Sequence, residues 1–159
     1  MNIVKKHICD LKNCYATAHM TLEGREKILF APDDFGPCLG VDLDSLEIEE
    51  IWKEPGGTMS LVQIPGKDEF LAVQRFNPGF NAADAEIVHV YKEGGKWCVK
   101  TFITIPYIHR FDILQRGGVS YIICCTVCSA KAYEQDWSSP GFTYAAPLPE
   151  DLSKGVELK

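Results

Sequence analysis

The sequence predicts an all-β fold of propeller-type blades, about three of them, each built from four short antiparallel strands in an incomplete ring. Three observations carry that expectation. Short stretches alternate apolar and polar residues and are divided by Gly, Pro, Asp and Asn clusters, the pattern of half-buried strands joined by turns. The loop lengths repeat in order: a short turn, a longer loop, another short turn. An opening motif also returns at residues 15–20, 57–61 and 107–110, with about 41 residues from His19 to Ser60 and about 49 from Ser60 to His109. Those spacings lie in the range of four-stranded blade repeats. A β-sandwich is the plainer alternative, since regularly spaced short strands suit it too. The recurring long second loop favours blades.

Residues 4–11 alternate with period two and read as a strand. Their nearest echo is residues 99–109, so residues 3–11 are expected to be the outer strand of a closing blade whose other strands lie elsewhere. The first unit, about residues 15–55, opens at residues 18–22, turns through 23–26, returns over 27–31, and loops over 32–37. It continues as strands 38–43 and 47–52 around a turn at Asp44 and Ser45. The second, about 56–105, repeats this order with strands 59–64, 69–75, 85–91 and 97–105 and a long loop from Phe76 to Asp84. The third, about 106–159, has strands 108–114, 119–125 and 142–146, the longest second loop at 126–141, and only a stub of a fourth strand at 155–159. Helix is placeable only over 130–136. Trp52 and Trp97 fall in matching fourth strands and read as packing residues.

Composition bounds the function. With 159 residues, 46% of them hydrophobic, the chain is one globular domain over 1–159. A net charge of -6 and scattered Lys and Arg exclude a nucleic-acid footprint, which needs clustered cations to displace counterions. No apolar run approaches a membrane span and residues 1–7 lack a signal-peptide core, so the expected location is the cytoplasm and no membrane partner is expected. Seven cysteines without an export signal read as reduced thiols rather than a disulfide framework. The C-x-x-C at Cys125 and Cys128 has zinc or redox spacing, yet no second pair completes a four-ligand site, and Cys124 continues an apolar strand.

Five stretches carry a resemblance: FAPDDFGP at 30–37, EPGGTMS at 54–60, AVQRFNPGF at 72–80, PYIHRFD at 106–112 and DWSSPG at 136–141. Together they resemble the first half of uncharacterised bacterial β-propeller proteins roughly twice this length, loosely related to the FG-GAP/VCBS repeat type. The resemblance implies a propeller fold and a missing C-terminal half, and no activity. The chain departs from the general repeat: it lacks the D-x-D-x-D-G calcium loop, the Trp-Asp dipeptide of WD40 blades and the kelch pattern.

In a four-stranded antiparallel blade, the link into strand one and the loop between strands two and three share a face. That topology puts His19, Ser60 and His109 at the openings of the inner strands around a channel. Asp33, Asp34, Arg75, Asn77, Asp84, Asp136 and Trp137 lie in or beside the long loops above. The expected site is therefore the channel face, with His19, Asp33, Asp34, Ser60, Arg75, His109, Arg110 and Trp137 as ligand-binding candidates. His19 and His109 are the pair that could hold a divalent metal, the one cofactor the residues suggest. Phe35, Phe76, Phe80 and Trp137 suit stacking on sugar rings.

Each candidate has a plainer structural reading. The histidines could bond to loop backbone, Asp33-Asp34 before Gly36-Pro37 is ordinary turn chemistry, and Arg75 could fasten two blades through a carboxylate. His7 and His89 sit mid-strand and read as structural. Two function classes follow. One is a ligand-binding or scaffold propeller for a small molecule or carbohydrate. The other is a metal-dependent carbohydrate-active lyase or isomerase using His19 and His109. Three blades are fewer than usually close a ring, so closure is expected either from further C-terminal blades or from self-association of two copies.

Overall fold

The computed structural model describes residues 3–77 and 82–159. Among the described residues eleven strands form three antiparallel sheets stacked in chain order. Blade 1 comprises β1 (Cys14–Leu22), β2 (Arg25–Pro32), β3 (Cys38–Asp42) and β4 (Ile48–Trp52). Blade 2 comprises β5 (Leu61–Gln63), β6 (Phe70–Gln74), β7 (Glu86–Glu93) and β8 (Lys96–Thr104). Blade 3 has three strands: β9 (Ile108–Arg116), β10 (Val119–Thr126) and β11 (Thr143–Pro147). Each sheet is ordered as its strands occur in sequence, the meander that short hairpin turns dictate. The turns Gly94-Gly95 and Gly117-Gly118 have positive φ at both residues, which matches the twist of the strands they join.

Period-two alternation decides how the blades stack. On β6 the run Phe-Leu-Ala-Val-Gln is buried throughout, because blade 2 lies between the other two. Phe70 and Ala72 join Met20, Leu22, Leu29, Ala31, Ile51, Val88 and Val90 in the core between blades 1 and 2. Leu71 and Val73 join Ile87, Phe102, Phe111, Ile122 and Cys124 between blades 2 and 3. Withdrawing each large apolar side chain from water contributes about 1.5–3 kcal/mol, so these two cores hold the stack together. Trp52 and Trp97 flank Phe70 at ring-centroid distances of 6.4 and 6.1 Å, the packing role expected of them.

Polar clamps close the blade 1–2 junction at its rim. Lys27 reaches the Glu49 carboxylate, which also accepts from Trp97 Nε1 at 3.0 Å. Lys92 pairs with Glu23 at 2.5 Å and Glu49 at 3.4 Å. Gln63 exchanges hydrogen bonds with the backbone of Thr21, and the Glu23 amide donates to Asp68 at 2.8 Å.

Three expectations change. Residues 3–11 form no strand and Ile3 and Val4 are exposed: a strand needs a ladder, and the closing blade whose strands were expected to supply it is not among the described sheets. β1 begins at Cys14, four residues before the expected 18, which moves His19 from the strand's opening to its far half. Residues 130–136 are turns rather than helix. Asp136 organises them, accepting from the amides of Ala132 and Ser138 and from the Ser138 hydroxyl at 2.6 Å. These donors hold its carboxyl down at about 2, the Ser138 hydroxyl foremost. The expected stub survives as a reciprocal backbone pair between Ala145 and Lys159 on the edge of β11.

Candidate functional site

The long loops and inter-blade links assemble on one face, as the blade topology requires. Gly57 donates to Asp34 O and Thr58 to Pro32 O, while Arg75 and Phe76 donate back to Gly56 O and Gly57 O. Asn77 adds its side-chain amide to Asp33 O. The crossing is so close that a Cβ at Gly56 would stand 1.7 Å from Asp34 O, and one at Gly57 2.6 Å from the Phe76 nitrogen. Only glycine fits there, and Gly57 additionally has φ +69. On the next junction Tyr107 donates to Ala82 O and accepts from the Val127 amide.

Residues of β1, of β5 with the link before it, and of β9 line a shared cavity. Tyr15 and Thr17 from β1, Ser60 and Val62 at β5, and Arg110 and Asp112 from β9 surround a cavity of about 310 Å³. Arg110 crosses it. Its Nη1 donates to Met59 O at 2.7 Å and its Nη2 to the Tyr15 hydroxyl at 3.1 Å, with the guanidinium 5.2 Å from the Tyr15 ring centroid. A guanidinium oriented by two fixed acceptors still presents further N–H donors, which is the geometry that recognises a carboxylate or vicinal hydroxyls. Ser60 is buried, its carbonyl accepting from Val73.

His109 sits behind Arg110, half-buried between the edges of Phe76 at 5.0 Å and Tyr15 at 6.5 Å. Burial disfavours its protonated form, and the Arg110 charge adds to this, so its imidazole stays neutral below the ordinary histidine value.

The remaining candidates scatter. His19 lies four residues beyond Tyr15 on β1, about 13 Å along the strand, where it pairs with Glu26 at 2.5 Å. His19 and His109 are thus out of register, and among the described residues no group of three or more His, Cys, Asp or Glu is gathered to hold a metal ion. Asp33 and Asp34 use backbone atoms to fasten the loop crossing. Arg75 binds Glu86 at 2.8 Å within its own blade, so it braces blade 2 rather than fastening two blades. Trp137 is 54% exposed, with Lys131 Nζ 3.5 Å above its ring. Phe35 is exposed, whereas Phe76 is 1% exposed and belongs to the core, which overturns its sugar-stacking reading. Phe80 lies outside the described residues. Asp84 is exposed in the turn before β7. His89 pairs with Glu69 at 2.8 Å and His7 with Asp10 at 3.0 Å, both away from the channel.

Tyr15, Thr17 and Asp112 were not among the sequence candidates. The signal for them was present: Tyr15 and Asp112 belong to the same opening stretches as His19 and His109, and Tyr15 and Asp112 share one cavity with Ser60 and Arg110.

No family model matches the chain, and no curated protein does either. Among solved structures, the PQQ-bound aldose sugar dehydrogenase from Streptomyces coelicolor aligns over 91% of this chain and 47% of its own, with a TM-score of 0.57 and 19% identity. The chain therefore spans about half the length of that neighbour, a β-propeller-type enzyme. At that identity the likeness is one of fold: blade-like antiparallel sheets in the same arrangement.

Proposed function

We propose that this protein is a β-propeller-type ligand-binding protein whose site is the channel cavity at the openings of β1, β5 and β9. Its ligand would be a small polyhydroxylated molecule carrying a carboxylate. The observation that carries the reading is the convergence of Arg110, Tyr15, Thr17, Ser60 and Asp112 on one cavity, with Arg110 already oriented by Met59 O and the Tyr15 hydroxyl. Hydroxyls and a carboxylate are complementary to sugar hydroxyls, and a braced guanidinium to an anionic group. The solved neighbour is a PQQ-bound aldose sugar dehydrogenase, and an aldose shares the hydroxyls of such a ligand without its carboxylate. Calorimetric titration with gluconate, glucuronate and glucose tests this. The acids should bind more tightly than glucose, and Arg110→Ala should lower acid affinity at least tenfold. Equal weak binding of all three, unchanged by Arg110→Ala, would sink the proposal.

One observation favours a second reading, a carbohydrate-active lyase or isomerase. His109 is a neutral imidazole beside the cavity, the protonation state a general base needs. The reading rests on His109, since His19 belongs to a different part of β1. Turnover of a bound sugar acid that disappears in His109→Gln while binding persists would support it. Binding without turnover would leave the protein a binder.

A further inference from the structure

Each sheet in the stack buries its two faces against neighbours, except at the ends. On blade 3, Phe111, Ile113, Ile122 and Cys124 face blade 2, which turns Leu114, Arg116, Tyr121 and Ile123 outward. These residues, with Val119 and Ala145, line an open apolar groove of about 650 Å³. Leu114 is 50% and Val119 43% exposed. An apolar sheet face of this kind marks an interface.

The junction between blades 1 and 2 shows what such a face receives. There the β1–β2 turn of the leading blade bonds to two outward positions of the following blade: Thr21 to Gln63, and the Glu23 amide to Asp68. Blade 1 carries a comparable polar pair beside its own first hairpin. Gln63 opposes Phe70, with Asp68 two residues before it; His19 opposes Ile28, with Glu26 two residues before it. Thus His19 and Glu26 stand on the outward face of blade 1 beside its first hairpin, as Gln63 and Asp68 stand beside the first hairpin of blade 2 on the face turned to blade 1. They point outward, away from the blade 1–2 core, alongside Ile28 and Phe30. The matching turn of blade 3 is Arg116 to Val119, whose guanidinium complements Glu26. Residues 5–11 lie near Phe30 at the opposite end of that face and form no ladder with it.

We propose that the outward face of blade 3 receives blade 1 of a second copy of this chain, with Arg116 and the turn after it against His19 and Glu26. Two copies then form a closed ring of two identical junctions. The two docking faces differ, but a two-fold rotation closes the ring and leaves neither exposed. The solved neighbour holds in one chain about twice the length that aligns here, which is the amount of sheet two copies supply. In this arrangement His19 is a junction residue, which accounts for its distance from His109.

Light scattering of the whole chain at micromolar concentration tests the proposal. The expected mass is twice 17.8 kDa. Ile123→Glu, at a partly exposed position, should yield the monomer with an unchanged circular dichroism spectrum. Arg116→Glu and Glu26→Arg should each raise the dimer dissociation constant at least tenfold, and the double exchange should restore it. A 17.8 kDa species throughout, which is the outcome if further blades of a longer chain cover the face, overturns the proposal. So does an open series of higher oligomers, or a dimer indifferent to Ile123→Glu and the charge exchange.

Discussion

Replacing Phe70 with Ala removes the keystone of the blade 1–2 core, and the structure supplies both the size of the effect and its reporter. Phe70 is fully buried on β6, tilted against Trp52 and edge-on to Trp97. Truncation loses the transfer free energy of a benzyl group, leaves a cavity between two rigid indoles and abolishes two ring pairs. A cost of about 3–5 kcal/mol follows. For a chain of this size that lowers Tm by about 10 °C. Urea unfolding followed by tryptophan fluorescence is the assay, because two of the three tryptophans flank the substituted ring. The third, Trp137, lies exposed in the blade 3 loop. The matched control is Phe142→Ala at an exposed position, expected within about 0.5 kcal/mol of the parent. A loss below about 1 kcal/mol for Phe70→Ala, or one equal to the control, would refute stacking of blades 1 and 2 through this ring.

Two further outcomes follow from charge. Burial tends to raise the Glu49 pKa, but hydrogen bonds from Lys27 and Trp97 and the charges of Lys27 and Lys92 outweigh it, so its carboxyl titrates below the ordinary value. Its contribution to stability is therefore present above the unfolded-state pKa and lost as pH falls through the folded one. Glu49→Gln should cost about 1–3 kcal/mol at neutral pH and flatten the acid limb of the stability curve; an unchanged acid limb would remove Glu49 from the clamp. His109 should titrate by NMR below the ordinary imidazole value of about 6.5, because burial first and Arg110 second disfavour its charged form. Its contribution to stability is likewise present above the unfolded-state value and lost as pH falls through the folded one. Arg110→Gln should move the midpoint part of the way back, and a midpoint above the free value would contradict its placement.

Much of this fold was legible along the chain because antiparallel meanders are local. Short apolar segments between turn residues placed the strands of blade 2, where β6 reads Phe-Leu-Ala-Val-Gln without alternation because both of its faces are covered. Turn residues such as Gly94-Gly95 and Gly117-Gly118 marked the hairpins. The face carrying the loops followed from topology alone, and the bonds among Asp34, Gly57 and Phe76 lie there. Register was harder to read. A four-residue offset in the opening of β1 leaves alternation intact, so nothing local distinguished His19 from Tyr15 as the channel residue.

What the sequence by itself determined, then, was strand content, blade order and the polarity of each strand face, since these depend on neighbours within a few residues. Only the tertiary structure decided which residues meet across blades. It joined Arg110 to Met59 O and the Tyr15 hydroxyl across some fifty and ninety-five positions. It sent Phe76 inward and Arg75 to Glu86, and left residues 3–11 without a ladder. The physical reason is that a channel is lined by one side chain from each of several strands, and the stacking of sheets, which sets their relative height, is a property of no single segment.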